Sequence, residues 1–176
     1  MANIYEIDPW ANSTDYKKND IVWWPINRVN YYWYALVDHT SSSQPSLSNG
    51  NWAGVRYSGK VSSIKPSFFW KPSYNLQVTS EPKVASIRFG DGYEQRIIDG
   101  INNILLRCSA AFELRDKTES RAISHFLATR AGTESFLMTL PEPYDAEKLY
   151  ICRRWNNSVN FYDNYSIKME LEEVTE

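Results

Sequence analysis

Ala85-Ser-Ile-Arg-Phe-Gly-Asp-Gly-Tyr-Glu-Gln-Arg-Ile-Ile-Asp-Gly100 consists of two strand-like runs around Gly90-Asp91-Gly92. Before the turn Ile87 and Phe89 alternate with Ser86 and Arg88. After it Tyr93, Gln95 and Ile97 alternate with Glu94, Arg96 and Ile98, the period of two that a β-hairpin requires. Gly90 and Gly92 supply two positions that accept positive φ without a Cβ penalty, which a tight turn needs. Arg88, Asp91, Glu94 and Arg96 crowd opposite charges around that turn. Such a tip either stays a solvated face or knits to a neighbouring segment or subunit by charge-assisted hydrogen bonds. Arg88, Phe89, Gly90, Asp91, Gly92, Tyr93, Glu94, Gln95 and Arg96 are therefore the candidate assembly motif.

Outward from this hairpin, strand-like runs recur at 74–79, 83–89, 93–98, 104–114, 134–140, 148–154 and 165–174. One helix interrupts them. Asp116 as N-cap with Glu119 three residues on forms a capping box, and Gly132 follows the last turn. Between these borders Ala122, Ile123, Phe126, Leu127 and Arg130-Ala131 recur at three and four, an apolar stripe that should lie across a sheet. The fold class is α+β: a barrel or sandwich with a single covering helix.

Residues 1–57 differ in kind. Trp10, Trp23, Trp24, Trp33 and Trp52 stand among Tyr5, Tyr16, Tyr31, Tyr32, Tyr34 and Tyr57. A segment of this size cannot bury enough aliphatic surface, so large rings must supply its core. It reads as a small all-β module: a strand ending at Trp24, a loop over 25–30, a returning strand over 31–37, and a polar loop over 38–50 closed by Trp52. Residues 58–72 have the composition of a linker, with Phe68-Phe69-Trp70 anchoring its far end, and 73–176 form the larger domain.

The chain has 176 residues with 43% hydrophobic and 23% charged, a globular composition. Its net charge of -2 gives no basic footprint for nucleic acid or for an anionic membrane surface. No apolar run is long enough to cross a bilayer, and the N-terminus lacks a leader pattern, so assembly in a cytoplasm without membrane insertion is expected. Cys108 and Cys152 sit in apolar runs without partners at metal or redox spacing and read as buried thiols. His39 lies in a Ser-rich loop and His125 in the helix, each an ordinary surface or helix residue. The carboxylates Glu142, Asp145, Glu172 and Glu173 lack the apolar surroundings that separate a general acid from a base. No phosphate loop or nucleophile elbow is present. No enzymatic activity, metal or cofactor is expected.

Two resemblances add to this reading. Trp10, Tyr16-Lys-Lys-Asn-Asp-Ile-Val22, Trp33-Tyr-Ala-Leu36, Pro45 and Trp52 resemble the chitin-binding type 3 modules, carbohydrate-binding families 5 and 12. That resemblance implies stacking of exposed rings on sugars. The tandem aromatic pair found in many members is replaced here by Leu36-Val37-Asp38-His39. Trp23, Trp24, Tyr31 and Tyr32 are the candidate glycan-binding rings, since alternation sends one of each pair outward; the alternative is that all of them pack the module's core or a protein partner. The second resemblance covers about 82–176. Pro82-Lys-Val84, the string from Arg88 to Arg96, Gly100-Ile-Asn102, Phe126-Leu127, Gly132-Thr-Glu-Ser-Phe136 and Ile151-Cys-Arg-Arg-Trp155 resemble the minor tail protein M family of lambda-like, long-tailed bacteriophages. It implies a tail-tube-like fold and a virion protein of the distal tail, in a homo-oligomeric ring, a hexamer, between the major tail tube protein and the distal tail-tip or hub proteins. Phage DNA would pass through that ring without specific binding. Residues 71–176, with thirteen Lys/Arg against sixteen Asp/Glu, suit such a lumen because carboxylates repel phosphate. Capture of cell-surface glycan by the N-terminal module is the alternative function.

Overall fold

A computed structural model describes residues 6–56, 65–73 and 75–175. The chain forms β1 (Asp15–Tyr16), β2 (Ile21–Ile26), β3 (Val29–Ala35), β4 (His39–Thr40) and β5 (Trp52–Arg56). Strands β2, β3 and β5 make an antiparallel sheet in that order, and β1 pairs with β4. The loop expected over 25–30 is instead a continuous strand pair. Asn27 and Arg28 (φ 50 and 63) both adopt the left-handed conformation of a two-residue hairpin turn, whose twist matches its strands. Pro25 is tolerated because β2 is an edge strand.

The two faces of this sheet have different destinations. Val22, Trp33, Ala35 and Trp52 pack with Tyr16 into a small aromatic core. Gly54 lies directly beneath Trp33, where a Cβ would come within 2.6 Å of the indole. Tyr32, Tyr34 and Val55 point the other way and join the large core formed with the rest of the chain.

The chain continues with β6 (Ser67–Phe68), β7 (Gln77–Ser80), β8 (Val84–Arg88), β9 (Glu94–Ile98), β10 (Leu106–Arg115), α1 (Lys117–Arg130), β11 (Phe136–Thr139), β12 (Glu147–Phe161) and β13 (Asn164–Glu173). A second sheet has six strands in the order β6-β11-β12-β13-β10-β7, while β8 and β9 form a separate pair. The single helix makes the fold α+β. Half of the expected capping box is present: the Asp116 carboxylate accepts from Glu119 N at 2.7 Å, while the Glu119 carboxylate accepts from Arg115 Nη1 at 3.1 Å instead of closing the box. The far end closes one residue early, with Ala131 (φ 51) already left-handed before Gly132 (φ 67).

Two segments differ from their expected form. Of the stretch 58–72, residues 58–64 lie outside the described residues. In the remainder, β6 pairs in parallel with β11, and Phe68 and Trp70 are buried. Four rings converging on Phe126 hold that edge: Phe68 at 5.4 Å, Trp70 at 5.8 Å, Phe136 at 5.4 Å and Tyr34 at 6.3 Å. Strand β12 runs seven residues past its expected end at Arg154, through the turn-forming residues Asn156, Asn157 and Asn160. Pairing with β13 overrides their local preference, and Asn157 Nδ2 donates to Ser124 Oγ of α1 at 2.9 Å.

Helix α1 lies between the two sheets. Ile123, Phe126 and Leu127 face the six-stranded sheet's core, and His125 meets the small sheet. His125 is buried, not the ordinary helix residue the sequence suggests. Its Nδ1 is 2.8 Å from Tyr34 Oη, and Tyr32 stands edge-on to the imidazole at 4.4 Å. Burial, reinforced by Arg121 and Arg130, pulls the imidazole down to about 4. Arg130 Nη2 donates to Arg56 O at 2.7 Å, and Arg121 donates to Glu6 O, so main-chain carbonyls of the N-terminal module are tied to α1 at two places.

Candidate functional site

The hairpin of β8 and β9 stands off the body. Every residue from Glu81 to Gly100 is exposed except Glu94, which is half-buried. The register pairs Val84 with Ile98, Ala85 with Ile97, Ser86 with Arg96, Ile87 with Gln95 and Arg88 with Glu94. Gly92 N donates to Phe89 O at 3.1 Å and Phe89 N to Tyr93 O at 2.8 Å. Of the two glycines only Gly92 (φ 85) is left-handed, so the turn needs one such position rather than the two expected. The base is held by Lys83 N donating to Asn103 O at 2.9 Å and Asp99 N to Lys83 O at 3.1 Å.

Alternation sorts this arm into unlike faces. One carries Ala85, Ile87 and Ile97, capped by Phe89 and Tyr93 with ring centroids 5.9 Å apart. Gln95 is its only polar member. The other carries Val84 and Ile98 at the base and Ser86, Arg96, Arg88 and Glu94 toward the tip. Arg96 and Glu94 meet at 3.4 Å in an exposed ion pair of little energetic weight. The candidate motif is thus brought together as one arm, but its distinctive feature is the apolar face, not the charges. An isolated two-stranded hairpin is marginal in water, and a contiguous exposed apolar face marks an interaction surface.

A second exposed apolar end went unread in the sequence. At the β12–β13 turn Val159, Phe161 and Tyr162 are exposed, Tyr162 by 96%, and Leu114 joins them at a bulge of β10. This end is opposite the arm, since the arm enters β10 where Leu106 pairs with Ser80, while Arg115 pairs with Tyr165 next to the turn. Only a long β12 places these residues there.

The sheet face away from α1 is charged and open. Arg107 pairs across from Glu172, and Glu170 has Ser109 on one side and Arg154 on the other. A bulge between Cys152 and Arg154 turns both Arg153 and Arg154 to this face. Arg153 reaches Glu172 at 3.5 Å and Arg154 reaches Glu170 at 3.9 Å. On the covered face Cys108 and Cys152 are free, and burial pushes both thiols up to about 11. Among the described residues no group of three or more His, Cys, Asp or Glu side chains gathers as metal ligands would, and no helix is long and apolar enough to cross a membrane.

The four candidate glycan-binding rings do not form one platform. Trp23 pairs with Tyr32 and Trp24 with Tyr31, so the pairs occupy opposite sheet faces. Tyr32 is buried against His125. Trp24 packs edge-on to Trp10 at 5.2 Å, and Tyr31 leans on Trp33 at 5.7 Å. Trp23, 38% exposed, alone offers a large open face.

Residues 66–175 match the family model described as phage minor tail protein. The chain is 32% identical over 109 residues to tail tip protein M of Escherichia phage lambda, an alignment covering 61% of this chain and 96% of that protein. A solved structure, the tail of an empty GTA particle with C6 symmetry, superposes over 58% of this chain and 75% of its own with a TM-score of 0.38 and 12% identity.

Proposed function

Because the chain belongs to the phage minor tail protein family, we propose that it is a structural subunit of a ring at the distal end of the tail tube, joining the tube to the tip complex. The observation that carries this reading is the uncovered apolar face of the β8–β9 arm. An arm that cannot be sealed within its own chain is suited to be sealed by a neighbouring subunit, and repetition by rotation closes such contacts into a finite ring. Arg88, Asp91, Glu94 and Arg96 then form the polar rim of that contact. The exposed end at Val159, Phe161 and Tyr162, on the opposite side of the sheet, faces the next tail component.

The open charged face of the six-stranded sheet suits the wall of the DNA passage. Its Arg107, Arg153 and Arg154 are interleaved with Glu170 and Glu172. Phosphate therefore meets no continuous cationic track that would hold it. The role is non-catalytic, and the N-terminal module, 1–57, decorates the outside of the ring. A second reading, capture of host-surface saccharide by that module, is favoured by the exposed face of Trp23.

Electron microscopy of intact particles labelled with an antibody against residues 1–57 tests the assignment. Label confined to the distal end of the tail is the expected result. Absence of the protein from particles by mass spectrometry, or label along the whole tube, would overturn it.

A further inference from the structure

A cleft of about 400 Å³ lies between the N-terminal module and the start of α1, within the range of about 300–1,000 Å³ usual for small-molecule sites. Asp8, Asp15, Asn19, Asp20, Thr118 and Arg121 supply its polar lining, and Pro9 and Ile21 supply apolar wall.

Asn19 is the informative residue. It is only 4% exposed and sits at φ 73, held by its own N–H donating to Ala35 O at 2.8 Å. Its Oδ1 accepts from Trp70 Nε1 at 2.9 Å, which fixes the amide plane. Among the described residues its Nδ2 has no hydrogen-bond partner, and the residue lines the cleft. The neighbouring carboxylates are half-committed: Asp15 Oδ1 accepts from Thr40 Oγ1 at 2.6 Å and Asp20 Oδ2 from Lys17 N at 2.8 Å. Each keeps a second oxygen. Asp8 uses only its main-chain carbonyl, accepting from Trp23 N at 3.1 Å, and Arg121 spends one N–H on Glu6 O.

This donor and acceptor set selects a ligand class by elimination. An anion would meet three carboxylates. A cation would offer no acceptor to the Asn19 amide or to Arg121. A neutral polyol answers both, because each hydroxyl donates to a carboxylate and accepts from an amide or guanidinium. Trp23 lies on the same face of β2 as Ile21, and its strand neighbour Pro9 also lines the cleft. The indole itself is not part of the cleft lining.

We propose that this cleft binds a neutral saccharide unit, with Asp8, Asn19, Asp20 and Arg121 on its hydroxyls. The proposal rests on the second reading of the N-terminal module, and it moves the binding site from the four-ring platform to the cleft between module and helix. Ring assembly does not depend on it.

The test is a tryptophan-fluorescence and saturation-transfer NMR titration of the full chain with methyl glucoside, methyl galactoside and N-acetylglucosamine, with methylammonium and inorganic phosphate as controls. Saturable binding of at least one sugar is expected. Asp8→Ala, whose carboxylate has no partner among the described residues, should weaken it about tenfold or more with unfolding temperature unchanged. Arg121→Ala should weaken it as well. Sugar binding that survives both substitutions but is lost in Trp23→Ala would overturn the cleft while leaving saccharide capture standing. Binding of methylammonium or phosphate in place of sugar would overturn the ligand class. No sugar binding at all would sink the cleft and the second reading together.

Discussion

At the junction between the two sheets, Tyr32, Tyr34, Trp70 and Phe126 are sealed among one another, and His125 and Arg56 supply polar partners to the chain facing them. In the β8–β9 arm, Ile87, Phe89, Tyr93 and Ile97 line one face of a regular hairpin and stay in water. Both regions concentrate large apolar side chains with satisfied backbones. They differ in whether a covering element exists within the chain: α1 covers the junction, and nothing in the described residues covers the arm. Stability is therefore concentrated at the junction, and the arm's apolar surface is left over for association.

The largest expected effect is at the junction. Phe126 is fully buried and contacts Phe68, Trp70 and Phe136. Phe126→Ala should cost about 3–5 kcal/mol in urea unfolding. A loss below about 1 kcal/mol would mean that the junction does not carry the fold.

The next effect comes with acid. His125 is neutral in the folded protein because burial pulls its pKa down to about 4, against an ordinary 6.5 when unfolded. The unfolded chain therefore binds this proton first. The associated stability is fully present above about 6.5 and is lost as the pH falls through 4, amounting to about 3 kcal/mol over that window. Carboxylates titrate in the same range, so the measurement is the difference between the protein and His125→Gln at pH 7 and pH 4. A difference independent of pH would remove His125 from the account.

How much of this was legible in the sequence follows the range of the forces involved. The ends of α1 are local, and Asp116 and Gly132 announced them. The arm was equally readable, because alternation about Gly90-Asp91-Gly92 is a local period. The long β12 was not, since Asn156, Asn157 and Asn160 favour turns locally and are held extended only by pairing with β13. Nor was the burial of His125 and Tyr32, which depends on which sheet face meets α1. Trp23 and Tyr32 are equivalent by alternation, and tertiary packing covers one ring and leaves the other open. The cleft at Asn19 brings together residues about a hundred positions apart, and no spacing rule reports that.

A smaller effect sharpens the contrast at a boundary shared by helix and core. Asp116→Ala removes the 2.7 Å cap on Glu119 N and should cost about 1 kcal/mol, measured by thermal unfolding. A loss as large as that of Phe126→Ala would show that the helix terminus, rather than its apolar face, limits stability.

The smallest effect on stability belongs to the arm, and there the comparison is most exposed to failure. Replacing Ile87 and Ile97 by Ser should change the monomer's unfolding free energy by no more than about 0.5 kcal/mol, because about half of each side chain is already in water on an arm that stands off the body. In an assembly that covers them, burying the exposed half of each Ile would contribute roughly 0.7–1.5 kcal/mol. The pair would then shift association by a factor of about ten to a hundred at every subunit contact. The double variant should remain folded by circular dichroism yet fail to enter oligomers in sedimentation or to be incorporated into tails. Arg88→Ala, on the polar rim, should leave incorporation nearly intact at moderate salt. If instead the Ile variant assembles like the parent chain and Arg88→Ala does not, the charges of the turn hold the ring and the apolar face is incidental.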